Sequence, residues 1–144
     1  MKATELMIGD WVGRVFDDKR IDYRQVDWIR TGEIGMRYQK VWAIGCIEPI
    51  PLTTEILEKN GFYDRNTQWC YESLGSYVCF DIAISLVYKE IEVSKVCDAG
   101  TDCEEVEYGS SIVFANDICV HNLQHVLRLC GLDELADNFK VYEK

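Results

Sequence analysis

The spacing of hydrophobic and polar residues changes character along this chain. From Gly9 to Ile47 apolar residues come in short runs broken by turn signals. Gly9-Asp10 precedes Trp11 and Val12, Val26–Arg30 alternates, Gly32 and Gly35 interrupt, and Met36–Lys40 and Val41–Ile47 follow. Short strands with turns at such intervals predict a small barrel or curled sheet. An SH3-like barrel is the expected shape, with Trp11, Trp28 and Trp42 filling most of its core, since each can bury a large area.

Pro49 and Pro51 then stiffen the chain, because proline fixes φ and holds its predecessor extended. The segment Leu52–Phe62 predicts a short helix over 54–60. Thr53 is its N-cap, Leu52 staples onto Leu57, Glu55 sits in the first turn, and Gly61 and Phe62 close the end. Strands are expected at about 69–71, 77–88, 91–97 and 104–108. The 77–88 run is apolar on both faces, which predicts a central strand covered on both sides, whereas Ile91 and Val93 against Glu90 and Glu92 mark a half-exposed one. Residues 117–130 read as a helix capped by Asn116 or Asp117 and ended by Gly131. Its stripe of Ile118, Cys119, Leu123, Val126, Leu127 and Cys130 faces a core. A last short helix covers Glu134–Phe139. The class is therefore α+β: a barrel-like subdomain over 1–48, and an α+β subdomain over 49–144 that either stands apart or continues it.

The helix at 117–130 carries the only two histidines, His121 and His125, one turn apart on one face. A zinc hydrolase helix shares this spacing, with Glu directly after the first His as general base; here that residue is Asn122, which cannot take a proton. Two imidazoles are too few for a zinc site, and Cys97 and Cys103 are the residues that could complete one. The gaps of five residues between the cysteines and seventeen to His121 fall outside zinc-finger spacing. The expectation is thus two ordinary polar residues at the flank of the core stripe, with no metal, no cofactor and no catalytic residue. A cysteine nucleophile needs an electropositive, partly exposed setting, and only Cys130, near Arg128, has a base in a supportive pattern.

Composition narrows the setting. Seven cysteines would make a disulfide framework in a secreted chain. The odd count, the apolar surroundings of Cys46, Cys79, Cys119 and Cys130, and an N-terminus with Glu5 and Asp10 where a signal peptide is apolar all predict reduced thiols and a cytoplasmic protein. No apolar run approaches the ~20 residues of a membrane span.

The net charge of −10 is unevenly placed. Residues 1–50 balance eight Lys/Arg against eight Asp/Glu, while residues 51–144 set seven against seventeen. Polyanion binding needs clustered positive charge, so nucleic acid is not expected on 51–144. The acidic run Asp98–Glu107 reads as a solvated loop, or alternatively as a mimic of the phosphate backbone. In residues 1–50, Arg14, Lys19, Arg20, Arg24, Arg30, Arg37 and Lys40 accompany Trp11, Phe16, Tyr23, Trp28, Tyr38 and Trp42. That mix permits base stacking in a basic groove, although interleaved acids such as Asp10, Asp17, Asp22 and Asp27 neutralise much of it. No glycine-rich phosphate cradle is present.

Three blocks, ELMIGDWV (5–12), IEPIPLTTEILEKNGF (47–62) and VHNLQHVLRLCG (120–131), together resemble a group of small hypothetical proteins of gut bacteria and their bacteriophages. Members carry an ELRIGNWV-like start, a PIPLTEEWLLKFGF-like middle and a VHQLQNLYF-like helix, often with Asn where His125 stands. The group has no assigned activity, so the resemblance implies a mobile-element origin and weakens a two-histidine ligand set. The expected function is a non-catalytic binding or adaptor protein acting on a protein partner. The alternatives are a nucleic-acid accessory protein working through 1–50, an acidic DNA mimic, and a metal-dependent enzyme using His121 and His125.

Overall fold

The computed structural model describes residues 2–38, 40–73, 78–97 and 106–142. The chain forms two compact units. One is built from residues 1–51 and 119–144, the other from 52–118. The chain leaves the first unit at Pro51–Leu52 and returns to it at Ile118–Cys119. The expected grouping of 49–144 therefore differs from the observed one: the histidine helix belongs with the N-terminal strands, because its buried polar side chains bond their backbone.

In the first unit, β1 (Trp11–Val15), β2 (Ile21–Arg30), β3 (Glu33–Met36) and β4 (Lys40–Ala43) form an antiparallel sheet in chain order. β2 is twice the expected length. Its first half pairs with β1 and its second with β3, across a bulge between Val26 and Trp28. A bulge bends and twists a strand, so one long strand serves two neighbours. The strands expected at 36–40 and 41–47 are displaced, because the chain turns at Arg37–Tyr38, with Tyr38 at φ 71°. After β4 a single 3-10 turn (Ile44–Cys46) leads Glu48 back to Gly13, where two backbone hydrogen bonds of 3.0 and 2.8 Å form a lone bridge. No ladder follows, so the sheet does not close into an SH3-like barrel.

The core of this unit is Leu6, Val12, Val26, Ile34, Met36, Trp42 and Ile47. Of the three tryptophans expected there, only Trp42 is buried; Trp11 and Trp28 are half-buried. The Trp28 indole instead occupies the space beside Gly35, where a Cβ would sit 2.0 Å from it. Cys46 is exposed rather than apolar-packed.

The unit is completed by α2 (Val120–Leu129) and α3 (Asp133–Asp137). α2 starts later than expected because residues 118–119 are held extended. Val120 N–H donates to Ile50 O at 2.9 Å, and Cys119 bridges Pro51. Cys119 is thus the N-cap, and Asn122, three residues on, accepts from the Cys119 N–H at 2.9 Å. The residue read as a missing general base is half of a capping box.

The second unit opens with α1 (Thr54–Lys59), as the sequence predicts. Thr53 Oγ1 accepts from the Ile56 N–H at 3.4 Å, and Leu52, Leu57 and Phe62 are buried. Five antiparallel strands follow in chain order: β5 (Tyr63–Arg65), β6 (Gln68–Ser73), β7 (Val78–Ser85), β8 (Glu90–Cys97) and β9 (Val106–Val113). One face buries Ile82, Ile84 and Ile91. β7 is central but covered on one face only, since Asp81 is exposed on the other. The strand also stops at Ser85; Leu86–Lys89 turn, leaving Val87 and Tyr88 exposed. Of the acidic run at 98–107, residues 98–105 lie outside the described residues. No helix among the described residues is long and apolar enough to cross a membrane.

Candidate functional site

α2 presents two stripes. Val120, Leu123, Val126 and Leu127 are apolar and buried. His121, Gln124, His125 and Arg128 recur at helical spacing too, and His121 and Gln124 are as buried as the core. The polar stripe meets the Met7–Trp11 segment before and at the start of β1. Gln124, fully buried, makes two bonds there and one to α3: its Oε1 accepts from Trp11 N–H at 2.9 Å, and its Nε2 donates to Gly9 O at 3.1 Å and to Ala136 O at 2.8 Å. Gln25 of β2 donates to Asp137 O at 2.8 Å.

Asp10 lies at the centre of this stripe's contacts, with no exposed surface. Its Oδ1 accepts from Arg128 Nη1 at 2.7 Å. Its Oδ2 accepts from His125 Nε2 and from the Met7 N–H, each at 2.7 Å. Because a carboxylate only accepts, His125 carries its hydrogen on Nε2. Arg128 also reaches Asp137 at 3.2 Å. Gly9, at φ +91°, lets this pair pass close to the backbone, since a Cβ there would sit 2.6 Å from Arg128 Nη2. A buried anion held by a guanidinium, an imidazole and a backbone N–H is satisfied.

His121 is in a different state. Asn122 Oδ1 is taken by Cys119, so its amide nitrogen faces His121 Nε2 at 3.3 Å and donates to it. The ring then bears its hydrogen on Nδ1, which is buried without a partner among the described residues. Burial holds His121 below the ordinary imidazole value, the nearby Asp10 charge opposes this, and His125 adds to the lowering. The two rings lie edge to face with centroids 5.8 Å apart. No group of three metal-ligating side chains occurs among the described residues. Cys103 lies outside them, and so does the side chain of Cys97. Burial raises the Cys130 thiol, and the Arg128 charge beside it in sequence is directed at Asp10 and Asp137.

The stripe that anchors α2 also positions a cleft of about 290 Å³ within the first unit. Trp11, Arg24, Arg37, Tyr38, Lys140 and Tyr142 are among its lining residues. Trp11 Nε1 donates to Phe139 O at 2.6 Å, which ties the segment after α3 across β1 and β2. Tyr142 meets Trp11 edge to face at 5.3 Å and stacks on Tyr23 at 6.1 Å. Arg24 lies 3.0 Å from Asp22, which also takes Lys40 at 2.9 Å. Burial pushes the Asp22 carboxyl up, but the hydrogen bonds and charges of Lys40 and Arg24 outweigh it and leave the group low. Arg37 is exposed and has no ion pair among the described residues. The structure thus brings together Trp11, Arg24, Arg37 and Tyr38 from the basic and aromatic set in 1–50. Arg14 and Arg20 lie elsewhere, over the Phe16 ring at 4.7 and 4.8 Å, and Arg30 lies over Trp28. Lys140 and Tyr142, from the far end of the chain, were not among the sequence candidates.

No family model matches the chain, and neither does any curated protein or solved structure.

Proposed function

We propose that the chain is a non-catalytic binding protein whose recognition site is the cleft between the β1–β2 face and the segment after α3. The observation that carries this reading is the assembly of that cleft from both ends of the chain, with four aromatic residues, three cationic side chains and Asp137 around one hollow. A concave site with a few convergent polar groups is where ligands are usually held. The acid–base groups nearby are engaged in structure: Asp10 and His125 bond each other, Arg128 bonds Asp10, and Asn122 caps α2. That arrangement favours recognition over catalysis. A cytoplasmic, phage- or mobile-element-associated role rests on the block resemblance and on the cysteine pattern. Cys46, Cys70 and Cys130 are free thiols.

The test is photo-crosslinking from inside the cleft. Tyr38, 74% exposed at its mouth, is replaced by benzoylphenylalanine and the protein is illuminated in host lysate. The expected result is a discrete adduct at Tyr38, absent when the same group replaces Tyr88, an equally exposed tyrosine of the second unit. No adduct, or the same adducts from both positions, contradicts the reading.

A further inference from the structure

We infer that the cleft takes a nucleobase with its phosphate, stacking the base on the exposed ring of Tyr38 beside Trp11 and pairing the phosphate with Arg37. This rests on the reading of the cleft as the recognition site and gives it a ligand class.

Three observations support it. The first is the combination of ring faces and cations in one hollow. Every base has a π-face, and single-strand sites pair stacking platforms with basic grooves. The second is the state of the Trp11 indole. A groove that reads an extended proline-rich peptide also uses aromatic rings, but such a peptide offers carbonyl oxygens that need donors. The Trp11 N–H already donates to Phe139 O. With that N–H used, the indole has no donor left for a peptide carbonyl, whereas an apolar contact with a base edge needs none.

The third is the distribution of charge. The net charge of −10 argues against any polyanion ligand if it is spread evenly. It is not. Residues 52–118 carry four Lys/Arg against thirteen Asp/Glu, while the first unit carries eleven against twelve. The first unit is close to neutral, and Arg37 projects from it without a carboxylate partner among the described residues. The second unit repels phosphate. Its polar sheet face sets Glu72, Asp81 and Glu92 around a hollow of about 370 Å³. A ligand of one or a few nucleotides fits a local basic site on such a molecule. A long duplex, which needs an extended positive surface, does not.

The experiment is fluorescence anisotropy of the full chain with fluorescein-labelled oligothymidylate at low salt. Unlabelled thymidine monophosphate and a duplex of equal length serve as competitors. The expected result is saturable binding to the strand. Competition by the mononucleotide identifies a nucleotide ligand, and its failure to compete identifies a strand; the duplex competes poorly in either case. Tyr38→Ala removes one stacking ring and weakens binding on the order of tenfold. Arg37→Gln weakens it several-fold and flattens its salt dependence. Tyr88→Ala, in the second unit, changes nothing. Tyr38 and Arg37 are exposed, so these variants keep the fold, which thermal unfolding checks. Absence of binding at low salt overturns the inference, as does undiminished binding by Tyr38→Ala. If the strand fails while the Tyr38 crosslink captures a discrete protein, the cleft remains the recognition site and only its ligand class is wrong.

Discussion

The two units of this protein are held together in different ways. The second is a meander in which each strand pairs with its neighbour in sequence, opened by a helix whose cap, staple and stop lie within eleven residues, Leu52–Phe62. The first depends on contacts between the ends of the chain. Trp11 bonds Gln124 across 113 residues and Phe139 across 128, and Asp10 bonds Arg128 across 118. A fold fixed by local signals exposes its logic in sequence. A fold fixed by a buried polar network conceals it, and the surface that such a network organises is where ligand recognition is expected here. The largest test of this contrast is Asp10→Ala. It leaves Arg128 and His125 facing a vacated buried position, and removing one partner of a buried charge pair costs about 3–5 kcal/mol. Urea unfolding should show a loss of that size, against almost none for the exposed Asp81→Ala in the second unit.

Gln124→Leu comes next. It keeps volume but strands the Trp11 N–H and the Ala136 carbonyl, for an expected loss of about 2–3 kcal/mol. A neutral outcome would mean that apolar packing of α2, rather than its polar stripe, fixes the first unit. The local counterpart in the second unit is Thr53→Ala. It removes one cap bond from α1 and should cost about 1 kcal/mol, read as a small shift of the urea midpoint with unchanged slope.

These variants also mark what could be read from the sequence. α1 was legible to within one residue, because Thr53, Leu57 and Gly61 carry their meaning within one or two turns. β8 was legible through the alternation of Glu90 to Val93. β5 and its hairpin were not. The turn is Asn66-Thr67, both at positive φ, and a β-branched residue there is not the usual signal for a two-residue turn. The extra length of β2 was hidden because Ile21–Gln25 alternates weakly among charges. The histidines were recognised as a pair, but their roles diverge for reasons outside the helix. His125 finds Asp10, at the far end of the chain, and His121 finds Asn122. A polar stripe at 121, 124, 125 and 128 is ordinarily the solvated face of a helix. Only the position of Asp10 shows that it points inward.

The smallest expected effect is on pH dependence. His121 is held low chiefly by burial, so the folded chain takes up its proton less readily than the unfolded one. The stability this gives is complete above about pH 6.5, the ordinary value, and declines as the pH falls below it. His121→Gln should flatten the urea midpoint against pH in that window. An unchanged slope would place the acid sensitivity elsewhere.

The most direct measurement of the central claim is a nitrogen–proton correlation spectrum of the full chain titrated with oligothymidylate. The Trp11 indole and the amides of Arg37, Tyr38 and Lys140 are expected to shift together and saturate, while the amides of β6, β7 and β8 stay fixed. Shifts centred on those strands, or none anywhere at low salt, would contradict it.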